Sequence, residues 1–155
     1  MNEKRLLEEF LELVQIDSET KHEADICKVL KEKFAALGMD VVEDDTAPKT
    51  GHGAGNLVCT LPGTKEADTI YFTSHMDTVV PGNGVKPVIE DGYVKTDGTT
   101  ILGADDKTGL AAMLEAVKVL KEKNIPHGTI QFIITVGEES GLVGAKALDL
   151  SLIHI

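Results

Sequence analysis

At 155 residues the chain is long enough for one domain with its own core, and 42% hydrophobic with 26% charged residues is ordinary for a globular protein. Its net charge of −11 argues against nucleic acid and anionic membranes as partners, since both need basic patches. No apolar run approaches the roughly 20 residues that span a bilayer, and the opening MNEKRLLEEF lacks the apolar stretch of a secretory signal, so a cytoplasmic location is expected.

In chain order, residues 2–15 form an amphipathic helix, with Leu6, Leu7, Phe10, Leu11 and Val14 at three- and four-residue spacing. A second helix is predicted over about 20–38 through Ala24, Cys27, Leu30, Phe34 and Leu37, with Gly38 placed to end it. Cys27 falls on its apolar face and reads as a small buried thiol. Cys27 and Cys59 lie far apart without a CxxC pattern, which indicates neither a thiolate zinc site nor a disulfide framework. Short strands follow near 39–43 and 56–61, separated by the glycine-rich PKTGHGAGN, read as loop with His52 as a solvated histidine. A strand over 69–75 precedes VKPVIEDGYVKTDG, a β-hairpin turning at Asp91-Gly92. A helix of about 106–123 carries Leu110, Met113, Leu114, Val117 and Leu120 on one face. TIQFIITV (129–136) is apolar on both faces, as a central strand covered by helices would be. Strands alternating with helices give the fold class α/β, a layered mixed sheet with helices on both faces.

Three polar segments interrupt this pattern, each just beyond a predicted strand or at a helix start: SHMDTV (74–79), LGADDKTG (102–109) and TVGEESG (135–141). In open α/β sheets ligands bind beyond the carboxyl ends of strands, so all three can converge on one cleft. His75 and Asp77 stand two positions apart, roughly 6.5 Å along one face of a strand. Asp77 is expected to accept a hydrogen bond from one ring nitrogen, freeing the other for a metal. Alone, HxD is a weak signal, and a capped strand end with a surface histidine is the favoured reading. Asp105 and Asp106 suit a helix N-cap, but crowding two acids is costly without cations. One carboxylate can bridge two metal ions held roughly 3.5–4 Å apart. Glu138 and Glu139 point different ways, so one can bind metal while the other takes a proton from water. The bland alternative is a solvated turn.

Taken in order, these residues resemble the co-catalytic zinc metallopeptidase family that contains peptidase T, carboxypeptidase G, aminoacylase and succinyl-diaminopimelate desuccinylase. The stretch HMDTVVPGNGVKPVIEDGYVKTDGTTILGADDKTGLAAMLEA (75–116) looks most like the tripeptide aminopeptidases, and the likeness runs to about Asp149. The resemblance implies that His75 ligates one metal with Asp77 orienting it, Asp105 bridges both metals before a cis peptide to Asp106, Glu138 is general base and acid, and Glu139 ligates the second metal. It implies two divalent ions, zinc with cobalt or manganese tolerated, and hydrolysis of short peptides by a metal-activated water. Another amidohydrolase of the family (dipeptidase, aminoacylase or carboxypeptidase) or a non-catalytic metal-binding fragment are the alternatives.

The family pattern also requires a further acidic ligand, a second histidine and a lid domain through which relatives dimerise, none of which is found here. Each metal would keep two protein ligands where a catalytic zinc ordinarily has three, so this chain is expected to be inactive and its parent a homodimer through the missing lid. His154 comes too early in the order to serve as the second histidine. Residues 1–149 are read as the N-terminal part of a catalytic domain. The tail LSLIHI (150–155) back-translates to a transposon-adapter sequence and is read as non-native read-through.

Overall fold

The structure, a computed structural model, describes residues 1–153. His154 therefore lies outside the described residues.

Helix α1 (Glu3–Val14) starts where the Asn2 side chain accepts from the Arg5 amide, and it buries Phe10, Leu13 and Val14. Helix α2 (Ala24–Ala36) buries Ile26, Cys27, Leu30 and Phe34, and Gly38 ends it in the left-handed region at φ 73°. It begins later than its hydrophobic period suggests. Residues 18–23 are committed elsewhere: Thr20 donates its amide to the Thr78 carbonyl, and the Glu23 carboxylate accepts from the amides of Lys21 and Gly53. Strand β1 (Asp40–Glu43) leads into a short helix α3 (Thr46–Thr50), which occupies the start of the segment predicted as loop. The Asp44 carboxylate fixes it by accepting from the Thr46 amide at 3.0 Å.

Strands β2 (Leu57–Leu61), β3 (Ile70–His75) and β6 (Ile130–Thr135) complete a mixed sheet in the order β1-β2-β6-β3. β1 and β2 are antiparallel, as are β2 and β6, whereas β3 runs parallel to β6 with His75 opposite Thr135. Between β3 and β6 stand the hairpin β4 (Val88–Glu90) and β5 (Tyr93–Lys95), with Asp91 and Gly92 at φ 52° and 80° as a two-residue turn demands, and helix α4 (Ala104–Glu122). After β6 come helix α5 (Val143–Ala147) and a 3-10 turn at Leu150–Leu152.

All six residues of β6 are buried, which accounts for a strand apolar on both faces. Ile130, Phe132 and Ile134 belong to the same core cluster as α1, α2 and α4 through Leu13, Phe34, Leu110 and Leu114. Phe132 packs between Phe34 and Phe72, with ring centroids 5.7 and 5.9 Å away. On the opposite face the Gln131 amide donates to the carbonyl of Leu152, which brings the final turn against the sheet. Cys27 and Cys59 are both buried free thiols, and burial pushes each up to about 12, so neither is a reactive nucleophile. Among the described residues no helix is long and apolar enough to cross a membrane.

Leu114 has no exposed surface and sits where α4 meets the sheet. Replacing it with alanine should cost about 2–5 kcal/mol, read as a lowered urea midpoint with an unchanged slope.

Candidate metal centre

The parallel strands β3 and β6 end side by side, and the Met76 amide still donates to Thr135 at 2.9 Å. The chain leaving β3 and the chain leaving β6 therefore emerge at one place, beyond the carboxyl ends of the strands. His75 is the last residue of β3 and is buried. Its Nε2 lies 2.9 Å from Asp105 Oδ1 and 3.9 Å from Glu138 Oε2. One ligand atom each from His75, Asp105 and Glu139 fall within 4.8 Å of one another. An imidazole nitrogen and two carboxylates at this separation are a donor set suited to a divalent cation of the zinc, cobalt or manganese type.

The two adjacent aspartates have separate duties. The Asp105–Asp106 peptide is cis, and both residues have non-helical φ/ψ before α4 settles into regular helix. Asp105 reaches toward His75, while Asp106 Oδ1 accepts from the Gly109 amide at 3.0 Å and caps the helix.

Asp77 corrects one detail of the expected geometry. His75 Nδ1 sits 2.9 Å from the backbone carbonyl of Asp77 and 3.6 Å from its carboxylate, so the main chain is the closer partner of the ring. The Asp77 carboxylate, with no exposed surface, instead accepts from the Glu138 amide at 3.0 Å, the Glu139 amide at 3.2 Å and the Thr20 hydroxyl at 2.8 Å. Burial alone would raise this acid, but His75 and these donors outweigh it and hold the carboxyl below the usual range. Burial opposes charge on His75 as well. The hydrogen bonds to Asp77 and Asp105 prevail, and the imidazole is raised to about 9. Glu139 is raised above its usual value by burial, reinforced by Asp105 and Glu138 and opposed by His75.

Three further residues build the site without standing out in the sequence. Thr20 lies where a helix was expected, and its contact with Asp77 spans 57 positions of sequence. Asn56, fully buried, donates to Asp44, Thr46 and the Gly144 carbonyl, and its Oδ1 accepts from the Val136 amide. This ties the turn after β6 to the α3 region. His52 is not solvated as expected: it is 8% exposed, folded in beside Gly137.

Residues 56–149 match peptidase family M28. The chain belongs to that family. It is similar, at 84% identity over 153 residues, to a protein of Bacillus subtilis (strain 168) named uncharacterized protein YqjE, covering 99% of this chain and 41% of that one. Among solved structures it superposes on the aminopeptidase PepT of Bacillus cereus ATCC 10987 with a TM-score of 0.97 and 75% identity, covering 99% of this chain and 41% of PepT. A tripeptidase (SAV1512) of Staphylococcus aureus subsp. aureus mu50 gives 0.97 and 64% with the same coverage. The chain thus spans about two fifths (41%) of the length of these relatives.

The raised His75 value sets a pH dependence for the cation-free chain. A folded value of about 9 against 6.5 for a free imidazole means protonation favours the folded state. That contribution is complete below about pH 6.5 and is lost as pH rises through about 9. Urea titrations of the chain and of His75→Gln should show their stability gap shrinking across this window. A gap constant from pH 6 to pH 9.5 would contradict the ion-paired imidazole.

Proposed function

We propose that the parent of this chain is a metal-dependent aminopeptidase of the tripeptidase type, acting on short peptides with a free amino terminus. The observation that carries this is the grouping of His75, Asp105 and Glu139 within 4.8 Å, with Glu138 beside them. The aminopeptidase and tripeptidase named among its relatives, at 75% and 64% identity, support the substrate class.

His75 and Asp105 would hold one divalent cation, zinc first among candidates, and Asp105 with Glu139 a second. Such cations polarise a peptide carbonyl and make a nearby water acidic enough to lose a proton at neutral pH. Asp77 fixes the imidazole through its carbonyl and the 138–139 turn through its carboxylate, so one buried acid sets the spacing between ligands and base. Glu138 makes no side-chain hydrogen bond among the described residues and stays free to move a proton. It takes the proton from the attacking water and returns it to the leaving amine nitrogen.

Each cation would keep only two protein ligands from this chain, against the three of a catalytic zinc site. We read residues 1–149 as part of a catalytic domain whose remaining ligands lie elsewhere in the parent. The 155-residue chain alone should not turn over tripeptides with added Zn²⁺ or Co²⁺.

Joining residues 1–149 to the remainder of the Bacillus cereus PepT chain, 75% identical over the shared part, supplies a complete parent. This chimera should hydrolyse free-amine tripeptides in preference to N-acylated ones. Glu138→Ala in it should lower turnover about 10²–10⁴-fold while sparing cation binding. Hydrolysis that survives the substitution would remove Glu138 as the base, and a preference for N-acylated substrates would make the parent an acylase-type amidohydrolase.

A further inference from the structure

His52 belongs to none of the motifs that suggested the site, yet the fold takes trouble to bury it. Gly51, at φ 74°, ends α3 and turns the chain so that the next side chain points inward. Its Nδ1 lies 2.9 Å from Thr50 Oγ1. That hydroxyl already donates its proton to the Thr46 carbonyl at 2.8 Å, so toward the imidazole it acts as acceptor. The hydrogen-bond pattern therefore assigns the ring proton to Nδ1 and leaves Nε2 as a bare acceptor. Nε2 is buried and has no hydrogen-bond partner among the described residues. A buried acceptor without a donor costs stability, and its retention at such a position asks for a reason.

The reason lies in what the ring touches. A Cβ placed on Gly137 would stand 2.3 Å from Nε2 and within 2.9 Å of two ring carbons, so the imidazole fills the place of a side chain at 137. Gly137 adopts φ 58° and directly precedes Glu138. Its carbonyl accepts from the Val143 amide at 3.0 Å and from Ser140 Oγ at 3.1 Å, which closes the turn. Asn56 holds the two flanks of this turn at Val136 and Gly144. His52 packs against its start, on the side where a Cβ at 137 would project.

We propose that His52 is a positioning residue for the turn carrying Glu138 and Glu139: its imidazole, oriented by Thr50, packs where Gly137 has no side chain and keeps both following amides on the Asp77 carboxylate. The inference rests on the proposed function for its consequence, since the turn so held carries the base and one cation ligand. The contact itself is independent of that reading.

The test uses the 155-residue chain with His52→Ala, His52→Asn, His52→Gln, Gly137→Ala and the double variant His52→Ala/Gly137→Ala. Amide exchange at Glu138 and Glu139 is followed by NMR against Ile133 and Ile134 of β6, and Co²⁺ binding is followed by its visible spectrum. His52→Ala should speed exchange at 138 and 139 about tenfold or more, leave the β6 amides unchanged, and weaken Co²⁺ about 10–100-fold. His52→Asn keeps the Thr50 contact but removes the atoms over Gly137, and should behave like alanine. His52→Gln replaces those atoms and should recover most of the loss. Gly137→Ala should loosen the turn by itself, and adding it to His52→Ala should do less further damage than it does alone. Unchanged exchange at 138 and 139 in His52→Ala, equal acceleration in β6, or full recovery with asparagine would each overturn the proposal. If the unsubstituted 155-residue chain binds no Co²⁺, the metal reading fails on its own, and the exchange measurements still decide the role of His52.

Discussion

A buried carboxylate with no exposed surface must find donors, and the way Asp77 finds them organises this molecule. Its partners are the Thr20 hydroxyl from the connection before α2 and the amides of Glu138 and Glu139 from the turn after β6. Thr20 lies 57 positions from it and the adjacent Glu138 and Glu139 lie 61 and 62, so satisfying one charge draws two distant stretches of the chain to Asp77. The same residue offers its carbonyl to His75 Nδ1, leaving Nε2 facing Asp105. Two amides converging on one carboxylate also impose a fixed shape on the 137–139 turn, which is why its glycine and its buried neighbours matter.

The sheet supplies the frame for that interaction. Because β3 and β6 are parallel and adjacent, with α4 lying between them in sequence, their carboxyl ends open toward the same side and the start of α4 arrives there too. Three segments at the ends of three elements thereby become neighbours. Elsewhere the helices are fixed by ordinary means, apolar packing on the sheet and ion pairs such as Glu9 with Lys33 and Lys118 and Arg5 with Glu115.

Much of this was legible in the sequence because it is written in short-range pattern. The run from Ile130 to Thr135 announced a covered strand, Asp91-Gly92 a hairpin, and Gly38 a helix end. The candidate ligands were legible for the same reason: polar residues placed right after apolar strands stand out. What stayed hidden depends on contacts distant in sequence. Thr20 looked like the start of a helix because its tie to Asp77 cannot be seen locally. The α3 turn was hidden because it depends on Asp44 and Asn56, and His52 looked solvated because glycines surround it. Two of those glycines mark close approach of chain to chain: a Cβ would stand 2.8 Å from the Glu23 amide nitrogen at Gly53 and 2.2 Å from the Asp44 carbonyl oxygen at Gly55. The bond from His75 to the Asp77 carbonyl in place of its carboxylate was hidden as well, since three other donors compete for those oxygens.

The most direct test of the central claim is an anomalous difference map, measured at the zinc edge, from crystals of this chain grown with Zn²⁺. The account predicts its strongest peak about 2.0–2.2 Å from His75 Nε2 and from a carboxylate oxygen of Asp105. Zinc held at His22 or His127, with no peak at His75, would contradict it.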